Sequence, residues 1–252
     1  MSDPWLAAAL ALWIALVFAL ERLAVAQNPP PDNRRRILRN IGLGLIALTA
    51  APLLLTLTGR LASGAEPLVP LAGLGAVGAL LVQLLVLDIW TYGMHRAYHE
   101  LPFLWRFHAP HHLDEHLDAS SAFRFHLGEI LISAAMRLIP ALAFGIDAAT
   151  LLLFEAILTA NAVFHHSNIR LPDRLERLLS FVIVTPSIHW MHHHKKQADT
   201  DSNYTAILSL WDRLFGSANP KPGRIGMAIG VEGERDQRIG KLLVYPFLAK
   251  RG

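Results

Sequence analysis

Three long, predominantly apolar runs decide most of what this chain can become. A bilayer core needs about 20 predominantly apolar residues at the helical rise. The runs "PWLAAALALWIALVFALERLAVA" from Pro4, "IGLGLIALTAAPLLLTLTG" from Ile41 and "PLVPLAGLGAVGALLVQLLVLDIW" from Pro67 meet that length. A fourth apolar region, Ile130 to Phe164, is broken near "FGID" and is long enough to enter the membrane and return as a hairpin. The first run ends on Ala24, Val25 and Ala26, which resembles a signal-peptidase site, but its start "MSDPW" carries an aspartate and no basic residue, so a retained span is expected. The fold class that follows is an all-α integral membrane protein with a bundle of about four membrane helices.

Composition agrees, with 53% hydrophobic and 17% charged residues in 252. The net charge of +3 comes from residues beside apolar spans rather than from a stripe interleaved with aromatics, so no nucleic-acid partner is expected. Basic loops favour the cytoplasmic side, and "NRRRILRN" between the first two runs is such a loop. Counting spans from it puts the amino terminus and the loop from Arg60 to Glu66 outside. All thirteen histidines and the carboxyl terminus then fall inside. The chain has no cysteine, which removes disulfides, thiolate zinc sites and cysteine-bound clusters together. Any metal is left to histidine, carboxylate or backbone.

The histidines are spaced for that task. His95 and His99 are four apart; His108, His111 and His112 are three and four apart; His189, His192 and His193 repeat the second pattern. Such offsets share a helix face, so each group is expected to present its imidazoles in one direction. Neutral imidazole is a common ligand of iron, zinc and copper. His165 and His166 are adjacent, about 100° apart on a helix, and either address two metals or leave one idle. Ten candidate ligands exceed what one ion with open positions uses, which points to two metals. The carboxylate di-iron pattern, with its Glu-x-x-His pairs, is absent from the chain.

The boxes "HRAYHE", "HAPHH" and "HWMHH" resemble, in order, those of the membrane-bound fatty acid hydroxylase and sterol desaturase superfamily. The flanks "LPFLWRFHAPHH", "FRFHLGE", "HHSNIRLP", "TPSIHWMHH", "DSNYTAILSLWDRLFG" and "LLVYPF" are similar too. The likeness covers about Leu84 to Phe247. It implies one fatty acid hydroxylase-type membrane domain over 1–252, with spans in 1–83 and the histidine-box region in 84–247. In that picture a cytoplasmic helical cap carries the boxes. The resemblance further implies two iron ions, molecular oxygen as cosubstrate and attack on an unactivated C–H bond of a lipid. The ligands it implies are His95, His99, His108, His111, His112, His165, His166, His189, His192 and His193, with His166 fitting better than His165. The pair His99 and Glu100 looks especially like the alkylglycerol monooxygenase branch. No haem or ferredoxin-like segment is present, so electrons are expected from another protein or a small reductant. The expected location is a bacterial inner membrane, or else the endoplasmic reticulum, with the boxes facing the cytoplasm.

Glu100, Asp201 and Asn203 lie close to the boxes, and Glu100 and Asp201 are expected to accept the second N–H of ligating imidazoles. Asp88, near the end of the third run, is costly in hydrocarbon and is expected near the interface or paired inward. His116, His126 and His194 fall outside the boxes and are read as bystanders. Two rival readings remain. "HLDEH" from His112 to His116 fits the H-x-x-E-H pattern of zinc hydrolases but leaves the other clusters without purpose. A non-catalytic metal binder or transporter would string its ligands along a path within the spans, whereas these cluster beyond the span ends. "GLGAVG" at Gly73, Gly75 and Gly78 has no preceding strand and is read as close helix packing rather than a dinucleotide site.

Overall fold

The computed structural model describes residues 4–221, 223 and 226–248, apart from the side chains of residues 47 and 48. The described residues form α1 (Pro4–Leu23), α2 (Asn33–Ser63), α3 (Gly75–Glu100), α4 (Pro102–His112), α5 (Leu127–Phe144), α6 (Ala148–His166), α7 (Asp173–Leu179), α8 (Pro186–His192), α9 (Gln197–Thr200), α10 (Leu210–Leu214) and α11 (Ile239–Leu248). They contain no β-sheet, only isolated bridges. The protein is all-α.

Five of these helices, α1, α2, α3 with the turn before it, α5 and α6, are long and apolar enough to cross a membrane. The count exceeds four because the fourth apolar region is two helices. Gly145, in the left-handed conformation at φ 62°, ends α5, and the Asp147 carboxylate accepts the Thr150 N–H at 2.8 Å to start α6. The expected hairpin is thus built by a glycine stop and an aspartate start. Its far end packs on the bundle through Leu55, Leu87, Ala141, Ile146, Leu151 and Phe154. Outward-facing Leu12, Leu53, Val77 and Leu131 remain exposed, as lipid-facing side chains must.

Close helix packing by glycine occurs in α2 rather than in "GLGAVG". A Cβ on Gly59 would lie 2.3 Å from the backbone nitrogen of Ala148, so the start of α6 rests directly on α2. Gly73 and Gly75 have open space around them instead. Gly75 serves the chain by its φ of 66° at the entry to α3.

The connections at one end of the bundle merge into a polar cap. The loop after α1 pairs with the segment after α6, with Ala26 N–H donating to the Asn168 carbonyl and Arg170 N–H to that of Ala24. At the start of α2, Arg36 donates to Asp114 at 2.7 Å and to Asp118, while Asn40 donates to Asp114 at 2.9 Å. Arg124, fully buried, donates to Asn40 at 3.0 Å and to Asp236 at 2.5 Å. The segment "NRRRILRN", expected as a loop, forms the first two turns of α2 instead, and it lies on the same side as the ends of α3 and α6 and the whole of α4 and α8. Asp88 is paired inward: its Oδ2 accepts from the Trp211 indole at 2.7 Å and the Leu208 N–H at 3.2 Å.

Candidate metal centre

Four helices aim their carboxyl-terminal ends at one spot beneath the cap. His95 and His99 come from the last turns of α3, His108, His111 and His112 from the end of α4, His166 from the end of α6, and His189, His192 and His193 from α8 and its cap. A helix carboxyl terminus carries partial negative charge, so this convergence favours a cation before any side chain is counted.

The imidazoles sort into two buried groups. His95, His99, His108, His112 and His192 form one; His111, His166, His189 and His193 form the other; within each group one ring nitrogen per residue lies within 4.8 Å of all the rest. The expectation that each box points one way is corrected here. In "HAPHH" the i,i+4 pair His108 and His112 joins the first group while His111 joins the second. In "HWMHH" the pair His189 and His193 joins the second while His192 joins the first. Positions i+3 and i+4 sit about 100° apart, so a box set between two sites divides between them. His165 belongs to neither group: its Nδ1 lies 3.2 Å from Asn161 Nδ2 and its ring, tilted by 40°, lies 3.9 Å from that of His189 between centroids.

The Nδ1 atoms are mostly fixed by acceptors. His95 donates to the Tyr204 carbonyl at 2.6 Å, His111 to Arg124 at 3.2 Å, His166 to Ala162 at 2.8 Å and His192 to Ser202 at 2.7 Å. His108 Nδ1 meets the buried Glu129 carboxylate at 2.8 Å. A carbonyl can only accept, so those rings carry their proton on Nδ1 and turn an Nε2 lone pair inward. Nε2 atoms then face each other at 3.1 Å between His95 and His108, 3.0 Å between His108 and His112, 3.1 Å between His111 and His166, 3.0 Å between His166 and His189, and 3.1 Å between His189 and His193. Between His95 and His108, and between His111 and His166, both protons are committed to Nδ1, so two lone pairs face each other and cannot satisfy one another. The spacing is that of neighbouring nitrogen ligands at right angles around one ion at roughly 2.1 Å, so the donor set fits a metal in each group. Burial, reinforced by the neighbouring imidazoles, holds His111, His112, His189 and His193 neutral far below the usual histidine range, and burial brings His192 down to about 3. Neutral rings are the ligating form.

A cavity of about 660 Å³ opens beside the groups, with His95, His108, His111 and His189 in its wall. All five long helices line it, through Leu10 and Ile14 of α1, Leu55 of α2, Trp90 of α3, Ile130 of α5 and Leu158 of α6. Its size suits a small ligand.

A sequence model of the family described as fatty acid hydroxylase matches residues 80–217, which hold all ten candidate ligands. The chain belongs to the fatty acid hydroxylase family. An ornithine lipid hydroxylase, OlsE, of Rhizobium tropici is 30% identical over 171 residues, 68% of this chain and 51% of the relative. An alkylglycerol monooxygenase of Danio rerio is 30% identical over 171 residues, 65% of this chain and 36% of the relative. A fatty acid hydroxylase, vlmA, of a Lecanicillium species is 29% identical over 147 residues, 53% and 40% of the two chains. The chain thus spans about half or less of the length of these relatives. No solved structure matches it.

The remaining site expectations of this fatty acid hydroxylase family member divide. Asp201 Oδ1 stands 3.4 Å from His99 Nδ1. Glu100 turns the other way, half exposed, and accepts from Arg96 at 2.7 Å. Asn203, at a left-handed φ of 56°, donates to the Ile188 carbonyl at 3.1 Å and accepts the Asn219 N–H at 2.8 Å. It pins to α8 the loop whose carbonyls at Ser202 and Tyr204 hold His192 and His95. His116 lies outside both groups and α4 ends at His112, so "HLDEH" assembles no pair of ligands on a helix. His194 Nδ1 pairs with Asp199 at 3.0 Å, and His126 caps α5 through the Gly128 N–H at 2.9 Å. Glu129 is the residue that spacing did not single out. It lies in "FRFHLGE", and only the fold brings it to His108.

Proposed function

We propose that this chain is an oxygen-dependent lipid oxidoreductase whose single domain holds two iron ions in the two histidine groups. The observation that carries the reading is the pair of buried groups, of five and four imidazoles, opening on an apolar cavity between membrane helices. Similarity to lipid hydroxylases and monooxygenases supports it. The proposed ligands are His95, His99, His108, His112 and His192 for one iron and His111, His166, His189 and His193 for the other, with His165 in the cavity wall beside them.

Bound there, the irons would supply activation of molecular oxygen and two-electron oxidation of a C–H bond. The chain's own part is positional. Carbonyls of Arg124, Ala162, Ser202 and Tyr204 fix ring orientation, and Glu129 fixes His108 and raises its basicity as a ligand. Asp201 stands beside His99 at the cap surface without hydrogen-bonding its Nδ1, and Asn203 secures the loop. The apolar walls receive a lipid chain and keep water from the reacting carbon. For hydroxylation, one oxygen atom enters the C–H bond and the other leaves as water. Two electrons come from an external protein or small reductant and two protons from solvent. In the proposed orientation the cap faces the cytoplasm, where reductant is available.

Protein purified after growth in iron-replete medium is expected to carry about two irons per chain. Lipid profiles of cells with and without the gene are expected to differ by an oxygenated or desaturated species that requires oxygen. One tightly bound zinc with no iron, and no lipid difference, would replace this reading with a hydrolytic one.

A further inference from the structure

The cavity has a second polar station, far from the histidines. Arg137 of α5 and Glu155 of α6 both line it, and Nη1 of the arginine donates to Oε2 of the glutamate at 2.8 Å. Each lies near the middle of an apolar helix long enough to span. Ionised side chains at such depth are costly, and where they occur they line an interior path or site.

The pair is left partly unsatisfied. A guanidinium has five N–H donors. Among the described residues, the contact to Glu155 is the only hydrogen bond that the Arg137 side chain makes, and Oε1 of Glu155 accepts none. Arg137 otherwise lies over the Phe154 ring, 6.0 Å from its centroid. In an apolar cavity these free donors and the free acceptor call for a polar visitor.

Position along the wall adds a length. Glu129, Ser133 and Arg137 are successive turns of α5 and all line the cavity. The first holds His108, the second bonds the Tyr98 hydroxyl at 2.9 Å, and the third is the ion pair. Eight residues at the helical rise separate Arg137 from Glu129 by about 12 Å.

We propose that Arg137 and Glu155 dock the polar end of the substrate, and that this end is an uncharged group that both donates and accepts, such as a lipid hydroxyl or amide. The inference deepens the function proposed above and rests on it in taking the cavity as the substrate's. The ion pair has no net charge. A hydroxyl donates to Oε1 of Glu155 while accepting from a free N–H of Arg137. A carboxylate would gain the guanidinium only by facing Glu155 at like charge, and would bring an unbalanced charge to mid-membrane depth. A hydrocarbon would leave every free group unmet. The carbon presented to the histidines then lies about 12 Å along the wall from the docked group.

The test is equilibrium binding of radiolabelled hexadecanol, hexadecanoate and hexadecane to the iron-loaded protein in nanodiscs, at a pH where the acid is ionised. Hexadecanol is expected to bind about tenfold or more tighter than either comparison, the scale of a hydrogen bond to a charged group. Arg137→Leu with Glu155→Leu should erase that preference while iron content stays the same. Should the double variant fail to fold, Glu155→Gln decides. It leaves the site positive and should raise the affinity for hexadecanoate relative to hexadecanol about tenfold or more. Hexadecanoate binding the unaltered protein as tightly as hexadecanol, or either variant keeping the original preference, overturns the proposal. Absence of oxygenated product from every probe, with the preference intact, would count against the oxidoreductase reading and leave the docking site standing.

Discussion

A neutral imidazole has one N–H and one lone pair, so whatever accepts the proton decides where the lone pair points. In this protein the acceptors are mainly backbone carbonyls, at Arg124, Ala162, Ser202 and Tyr204. The contrast between His193 and His194 follows from the same logic. His193 turns Nε2 to His189 at 3.1 Å within the second group, while His194 gives Nδ1 to Asp199 outside it. His193→Ala is expected to lose iron and most activity, more than the 10 to 100-fold typical of residues behind the ligands, and His194→Ala to keep both. Iron content and oxygen-dependent product, measured side by side at matched protein level, check this. Iron lost from His194→Ala alone would mean the register is wrong. The candidate ligands were legible because spacing is a sequence property. Their acceptors were not, since a carbonyl belongs to every residue and only tertiary folding selects Ser202 over its neighbours. Glu129 was hidden for the same reason, 21 positions from the histidine it holds.

The elements show where sequence periodicity speaks and where it stops. The apolar runs gave the long helices directly, and "FGID" marked a hairpin whose glycine and aspartate do what such residues do at helix ends. The segment from Leu113 to Arg124 has no such pattern, yet it carries the ionic knot of the cap. Burial alone would raise the Asp114 carboxyl, but the charges of Arg36 and Arg124 and hydrogen bonds from Asn40 and Ser121 outweigh it and hold it below the usual range. A depressed carboxylate stabilises the fold above its unfolded value, 3.8 here, and that contribution fades as pH falls below it. Asp114→Asn is expected to destabilise the protein by about 3 to 5 kcal/mol near neutrality, as losing one member of a buried pair does. Unfolding midpoints in detergent from pH 7 down to pH 3 should show the gap between the two proteins closing with acid. A gap that stays constant or widens would show that the Asp114 charge does not lock the cap.

For the whole molecule the question is which face of the membrane the cap occupies. The connection between α1 and α2 and the histidine helices share one end of the bundle through Arg36, Asp114 and Asp118, so they share a side. In the orientation proposed above, with the basic segment at the start of α2 inside, that side is the cytoplasmic one. Reporter fusions at Gly64 and after Gly252 are expected to report opposite faces, with Gly64 outside; both on one side would break the count. A shared end for the first connection and the histidine boxes was legible in the sequence. The contact that binds the two was not, because it joins residues 78 positions apart. That separation matters during synthesis. The first two helices must enter the bilayer while Arg36 still waits for a partner that the ribosome has yet to make. A chain that inserts them backwards carries Arg36 to the opposite leaflet from Asp114, and its cap has no means of closing. Closure of the cap thereby depends on orientation, and with iron bound as proposed above a pool of misinserted chains is expected to stand out as the fraction that never acquires it.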